Sequence, residues 1–224
     1  VLASIIMVAV FGLIDIKYPR QLWKNRKDEF VLLVVTFLLT LGLGIKEGIL
    51  LGVLLSLLLL VYRISKPHIA ILGKIRGTNF FRNIDRFTGD AEDTDTFLIL
   101  RFDGQLFFGN KDYFRERLLR QIRKKGPSLR YIILNAEAIN YIDSSAVFML
   151  KALIREIKSE DIRFVVAGAI GPTRDILFRS GLIEDIGSEN LFADTLQAYN
   201  HCKEAGNRSE VETRIATQTA ARPM

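Results

Sequence analysis

The sequence predicts a transmembrane α-helical segment followed by an α/β domain whose mixed sheet is flanked by helices. Two observations predict this arrangement. Residues 1–62 of the 224 are mostly Val, Leu, Ile, Phe and Gly, whereas charged residues are scattered among short apolar runs from Arg63 onward. Strand-like and helix-like runs then alternate from Arg130 to Cys202, which is typical of parallel strands joined by helices. We therefore predict membrane helices at 1–64, a soluble domain at 65–204 and a disordered tail at 205–224, where the chain is polar and unpatterned.

The first apolar run, Val1–Ile16, is interpreted as the end of a membrane span. It is too long and too uncharged for a surface helix, and it has neither the basic start nor the small-residue cleavage site of a secretory signal peptide. Because the chain begins with Val and is apolar from that residue, we expect it to be a fragment of a longer protein. A charged loop, Lys17–Glu29, follows with five Lys/Arg and Trp23, which suits an interfacial anchor on the cytoplasmic side.

The next apolar run, Phe30–Tyr62, is longer than the roughly 20 residues that cross a bilayer core. The interruption GLGIKEG predicts two helices joined by a tight turn at Gly42–Gly48, the first of them short for a full span. Small residues recur at every fourth position in Gly48, Gly52 and Ser56, which favours close helix packing. Basic residues return in RISKPH, so the hairpin crosses and comes back, and we expect the soluble domain to be cytoplasmic.

The soluble domain begins with two runs of branched apolar residues, Ile69–Ile75 and Thr96–Gly104, which predict strands on either side of a polar loop. We expect Gln105–Asn110 to form a second hairpin strand after a turn at Asp103–Gly104. Asn110 then caps a helix that ends at Gly126.

That helix has an apolar stripe of Phe114, Leu118 and Ile122, which predicts its buried face. Its opposite face is basic through Arg115, Arg117, Arg120, Arg123, Lys124 and Lys125. Two interpretations are open for this face. It is either a solvated surface that complements the helix dipole, or a patch that contacts anionic lipid or an acidic partner.

The rest of the domain continues the alternation. The segments are a central strand in RYIILNAEAI, a helix over Ser144–Ser159, a strand in DIRFVVAGA, a short helix with Pro172 in its first turn and Gly181 at its end, and a last helix in LFADTLQAYNHC.

The turn at Asp143, Ser144 and Ser145 is the candidate site. Asp143 is well placed to cap the helix, which would stabilise it by roughly 1 kcal/mol. The same helix start presents open N–H groups that suit an anion. A catalytic serine is a third interpretation, but it needs a general base, and neither His68 nor His201 is placed by a motif.

Several stretches resemble a known family. GLIDIKYPRQLWKNRKDEF, GIKEGILLGVLLSLLLLVYRISKPH and ILGKIRGT resemble the C-terminal end of the SulP family of anion permeases. LRFDGQLFFGN, YIDSSA and FRSGL resemble, in order, the STAS domain fused to those permeases, a fold shared with bacterial anti-sigma-factor antagonists. The resemblance covers about residues 1–203.

The resemblance implies the C-terminal part of a secondary active transporter for sulfate, bicarbonate or dicarboxylate anions. The membrane helices would end its gate domain, and the STAS domain would serve regulation, dimerisation or folding. It implies a homodimer in the plasma or bacterial inner membrane, in contact with the lipid bilayer and with a cytoplasmic regulatory protein. The family's anion site lies between half-helices of earlier segments, so substrate-binding residues are expected upstream of this fragment.

In the antagonists a serine of this motif accepts a phosphate from a kinase. Carried over by motif position, the acceptor is Ser145, with Asp143 and Ser144 shaping the loop. Ala146 stands where those proteins usually have Gly, so the motif departs from the antagonist pattern at this position.

The alternative function is a membrane-tethered STAS signalling module that binds a kinase or another protein without transport. A hydrolase with a membrane anchor would need a base and an oxyanion site that no motif supplies, so we expect no enzyme and no catalytic residue. We also expect no cofactor. We expect no metal site, because the single Cys and two His do not have the spacing of metal ligands. We expect no nucleic-acid partner, because no basic patch contains aromatic residues that could stack on bases.

Overall fold

The computed structural model describes residues 15–87 and 89–220, with the side chains of residues up to 207. The chain divides into two compact units, Val1–Arg63 and Ile64–Met224. The apolar run at Val1–Ile16 lies almost entirely outside the described residues.

The first unit contains three helices, α1 (Lys17–Asn25), α2 (Lys27–Leu43) and α3 (Ile45–Ser65), the last of which extends into the second unit. Helix α1 corrects the charged loop predicted at Lys17–Glu29, since most of that loop is helical. The expected pair of apolar helices is present as α2 and α3. They are separated by Gly44 alone, whose φ of 103° favours glycine over any residue with a side chain.

Helices α2 and α3 pack closely because glycine residues lie at their contact. Gly48 and Gly52 are the buried residues of α3. A Cβ built on Gly48 would lie 2.5 Å from the Cα of Thr40, and one on Gly52 would lie 2.6 Å from Cγ2 of Thr36. The two helix backbones therefore approach along the small-residue face that the sequence predicted.

The open end of this hairpin carries an ion-pair cluster. Arg63, in the last turn of α3, binds the carboxylate of Asp28 and lies 3.1 Å from Oε1 of Glu29, both in the first turn of α2. Within the described residues, α3 is the one helix long and apolar enough to cross a membrane by length and composition. Helix α2 has 17 residues, fewer than the roughly 20 that cross a bilayer core.

The second unit is built on a seven-stranded mixed sheet in the described part of the chain. The strands are β1 (His68–Ile75), β2 (Phe81–Asn83), β3 (Ala91–Glu92), β4 (Phe97–Asp103), β5 (Tyr131–Asn135), β6 (Arg163–Ala167) and β7 (Leu191–Phe192). Strand β1 pairs antiparallel with β2, β3 and β4, whereas β4, β5, β6 and β7 are successively parallel. The strand order is β2-β1-β4-β5-β6-β7, with β3 against β1.

Helices cover both faces of this sheet. They are α4 (Lys111–Lys125), α5 (Ser144–Ser159), α6 (Gly171–Arg179), α7 (Leu182–Ile186) and α8 (Thr195–Ala220). Alternate residues of β4 separate the two cores, with Leu98 and Leu100 on the α4–α7 side and Ile99 on the α8 side. The predicted stripe of Phe114, Leu118 and Ile122 is buried. The expected α/β domain with a mixed sheet flanked by helices is confirmed.

Several segments of the second unit differ from the prediction. The predicted polar loop between β1 and β4 contains the short strands β2 and β3. Gln105–Asn110 is not a hairpin strand, and instead Leu106 makes an isolated parallel bridge with Ile142. Strand β4 already has β1 on one edge and β5 on the other, so a hairpin partner would have no free edge. Leu191–Phe192 pairs with β6 rather than starting the last helix. That helix runs to Ala220, so residues 205–220, for which the sequence predicted a disordered tail, are helical.

Candidate functional site

Asp143 lies between Ile142, which bridges to Leu106, and the first residue of α5. Its Oδ1 accepts the N–H of Ala146 at 2.8 Å, so it is the N-cap that the sequence predicted. Its Oδ2 accepts the N–H of Phe108, also at 2.8 Å. One carboxylate thus satisfies an open amide of the helix and at the same time holds a turn that lies 35 residues earlier in the chain.

Ser144 and Ser145 occupy the first two positions of α5, and both are exposed. Among the described residues, neither hydroxyl makes a hydrogen bond. The side chain that caps the helix is that of Asp143. Their backbone N–H groups precede the first intrahelical donor, so this helix end stays open to an anion.

A cleft of about 500 Å³ opens beside this helix end. Its lining includes Ser144 and four further side chains that α5 and α6 provide: Val147, Phe148, Lys151 and Arg179. Ser145, the residue that the motif singled out, is not part of this lining. The cleft therefore presents a serine, two cations and an exposed aromatic ring next to the positive end of a helix.

The sequence reasoning missed the two cations. Lys151 follows Ser144 by seven positions on α5, with Val147 and Phe148 between them, so the four share one helix face. That periodicity is a signal that could have found Lys151. Arg179 lies in FRSGL at the end of α6, and only the packing of the domain brings it to the cleft.

The turn that Asp143 holds is built around Asn110, whose exposed fraction is 2%. Asn110 occupies the N-cap position of α4, but its side chain makes no cap hydrogen bond, which corrects the predicted capping role. Its Oδ1 accepts the N–H of Phe107 at 2.9 Å, and its Nδ2 donates to the carbonyls of Gln105 at 2.7 Å and Ile64 at 3.3 Å. Asn110 therefore ties the turn to the first residue of the second unit.

The basic face of α4 is largely engaged in local pairs. Arg115 lies 2.7 Å from Oε2 of Glu156, Arg120 lies 2.6 Å from Oε1 of Glu116, and Lys125 binds Asp93. Arg117 stacks over the ring of Tyr113. These contacts favour the solvated-surface interpretation of this face over a binding patch.

A second polar group lies where β1 and β4 pair. His68 Nδ1 is 3.0 Å from Oδ2 of Asp103, and Arg101 Nε donates to Oδ1 at 2.6 Å. Burial acts to raise the pKa of Asp103, but the hydrogen bonds from Arg101 and His68 outweigh it and hold that pKa below its usual value. This arrangement stabilises the strand pair and contains no nucleophile.

Cys202 is fully buried under the sheet, and burial raises the pKa of its thiol to about 11. A thiol in that environment stays protonated and unreactive. Among the residues whose side chains the structure describes, no group of three His, Cys, Asp or Glu could hold a metal ion.

The comparison with known proteins gives one family and a set of relatives. The STAS domain family matches residues 89–198. The chain is 34% identical over 219 residues to "Probable sulfate transporter 4.2" of Arabidopsis thaliana, an alignment of 92% of this chain with 32% of that protein. It is 32% identical over 223 residues to "Sulfate transporter 4.1, chloroplastic" of the same plant, with 94% and 32% covered. The chain thus spans about a third of the length of the curated relatives it matches.

Two solved structures share the fold. The murine Solute Carrier 26 family member A9 anion transporter in the inward-facing state matches with a TM-score of 0.75 at 18% identity, over 84% of this chain and 31% of that one. A structure of SLC26A9 matches with a TM-score of 0.73 at 17% identity, over 87% of this chain and 33% of that one.

Proposed function

We propose that this chain, which belongs to the SulP family of anion permeases, is the C-terminal part of a secondary active anion transporter. The support is that its alignment with sulfate transporters runs through both units, from the helical hairpin into the STAS domain. A STAS domain in another context would align over the second unit alone. The chain is not an enzyme, since its relatives are transporters.

We place the STAS domain on the cytoplasmic side of the plasma or bacterial inner membrane. The basic segments on either side of the hairpin support this side, because Lys and Arg accumulate in cytoplasmic loops. Most large apolar side chains of α2 and α3, such as Phe37, Leu41 and Leu50, are exposed, as expected of helices that contact lipid or further membrane helices.

Sulfate is the substrate that the relatives' names favour, with bicarbonate and dicarboxylates as the other anions to test. Transport would proceed by movement of one membrane body against another around a fixed anion site. We expect that site in segments upstream of this chain. The hairpin would then act as a packed element of the gate domain, held by the close approach at Gly48 and Gly52.

The STAS domain would serve regulation, and also dimerisation or folding. For regulation, Asp143–Ser145 is the candidate loop, with Ser145 as the phosphate acceptor by motif position. Asp143 bonds the turn that Asn110 ties to Ile64, the first residue of the second unit. A phosphate would add about −2 charge beside the Asp143 carboxylate and weaken its hold on that turn.

The test is anion uptake by the full-length transporter in proteoliposomes, with sulfate, bicarbonate and a dicarboxylate offered separately. We expect uptake of at least one anion, and a changed rate in Ser145→Asp. Uptake that the substitution leaves unchanged would retain the transporter and remove the regulatory role of Ser145. No uptake from folded protein would favour the tethered signalling module instead.

A further inference from the structure

The cleft beside α5 has an apolar part that the anion interpretation does not explain. Phe148 is 73% exposed, whereas its neighbours Val147 and Met149 on the same helix are 8% and 9% exposed. Ile142, Val147 and Ile176 line the cleft with it. Aromatic side chains are enriched at protein–protein interfaces, so an exposed Phe148 in the lining of a cleft suits a docking site.

The side chains that line the cleft carry two positive charges and one negative charge, so its net charge is positive. Lys151 and Arg179 both line it, and among the described residues neither has a carboxylate within ion-pair distance. This differs from Arg155, further along α5, which lies 2.7 Å from Oδ1 of Asp185. The carboxylate that does line the cleft, Asp143, is already occupied by the N–H groups of Ala146 and Phe108.

We propose that this cleft docks an acidic peptide segment of a partner protein, one that carries a large apolar side chain between carboxylates. The apolar side chain would pack against Phe148 and Val147. The carboxylates would pair with Lys151 and Arg179, and Ser144 lines the same cleft. The inference rests on the regulatory role proposed for the STAS domain and is independent of which anion is carried.

Charge and shape together favour a peptide over the other occupants. A small inorganic anion would use the cations and the helix end but would leave Phe148 uncovered. Anionic lipid is typically recognised by clusters of four to eight basic residues, and this cleft has two. A cleft of about 500 Å³ has room for one or two large side chains.

The test uses the whole chain in nanodiscs of zwitterionic lipid and the fluorescein-labelled peptide Glu-Glu-Phe-Glu-Glu, with binding measured by fluorescence anisotropy. Two further peptides have Gly in place of Phe, or Lys in place of every Glu. Lys151→Glu reverses a charge in the cleft. Lys203→Glu is the matched control, because it makes the same change at an exposed position of α8, which covers the other face of the sheet.

We expect Lys151→Glu to weaken binding of the acidic peptide by about tenfold and Phe148→Ala by about fivefold, with Lys203→Glu unchanged. Circular dichroism of each variant establishes that it is folded. Equal binding by the Lys151 and Lys203 variants would overturn the proposal. If the peptide with Gly in place of Phe binds equally well, the proposal is also overturned, and the site recognises charge alone. If the chain binds vesicles of anionic lipid and not the peptide, the occupant is a membrane. Because anisotropy needs no transport, these outcomes stay separate from those of the uptake experiment.

Discussion

The contact between α2 and α3 leaves no room for a side chain at Gly48. An alanine Cβ there would lie 2.4 Å from Oγ1, 2.5 Å from Cα and 2.7 Å from N of Thr40. Two of these atoms belong to the backbone, so no rotamer change of Thr40 can remove the clash. Since ordinary contacts begin near 3.4 Å, Gly48→Ala must separate the helices by about 1 Å.

Gly42→Ala is the matched control, because Gly42 lies in α2 and a Cβ there would have nothing within 4 Å. Alanine favours a helix over glycine by about 0.5–1 kcal/mol, and this gain is common to both variants. At Gly48 it is opposed by an overpacking cost of about 1–3 kcal/mol and by lost contacts along the seam. We therefore expect Gly48→Ala to lower the unfolding free energy by about 1–2 kcal/mol and Gly42→Ala to leave it equal or higher.

The assay is unfolding by sodium dodecyl sulfate in mixed micelles, with tryptophan fluorescence as the signal that monitors it. The sequence has one tryptophan, Trp23, and its ring packs edge-on against Phe30 of α2 at 5.0 Å between centroids. The signal therefore reports on the base of the hairpin. If the two alanine variants unfold at the same detergent fraction, the helices do not approach closely at Gly48 and the packing argument is wrong.

Three further predictions concern the STAS domain. Asp143→Ala should lower the unfolding free energy of the domain in urea by about 1–3 kcal/mol, because two N–H groups lose their acceptor. Asp143→Asn keeps one acceptor and should lower it less. Equal losses in the two variants would mean that the charge matters and not the acceptor. Asn110→Asp should lower the unfolding free energy by about 2–4 kcal/mol in the same assay, since a carboxylate cannot donate to the carbonyls of Gln105 and Ile64. A smaller loss than that of Asp143→Asn would contradict the role given to Asn110. The pKa of Cys202 is about 11 in the fold against 9.0 for a free thiol, so the unfolded chain binds fewer protons in this window. The stability of wild type relative to Cys202→Ala should then fall as the pH rises from about 9 to 11, by on the order of 2 kcal/mol, and a constant difference across that range would show that the thiol is not buried.

Local signals in the sequence were sufficient where one residue type decides the conformation. Asp143 begins α5 because its carboxylate accepts an N–H three residues on, and Gly126 ends α4 with a φ of 73°. The apolar periodicity of α4 likewise identified its buried face. In each case the interaction that fixes the element lies within a few residues along the chain.

The errors at Gln105–Asn110 and Arg179 have a different cause, which is the influence of distant segments. Gln105–Asn110 follows a turn-like Asp-Gly pair, but the edge of β4 that it would need is taken by strands from elsewhere in the chain. Asn110 has the sequence context of a cap, yet its amide is used by Gln105, Phe107 and Ile64. Arg179 reaches the cleft only through the packing of α6. No pattern confined to a short window contains this information.

The structure separates two roles that the sequence left together in the Asp143–Ser145 turn. Capping is carried out by Asp143 alone, through one oxygen, while its second oxygen holds Phe108. The hydroxyls of Ser144 and Ser145 make no hydrogen bond within the described residues, so the fold does not need them. Alanine at either position would keep the cap and favour the helix slightly. A purely structural role therefore accounts for the aspartate and not for the two serines, which leaves their exposed hydroxyls available for modification or for a partner in the cleft.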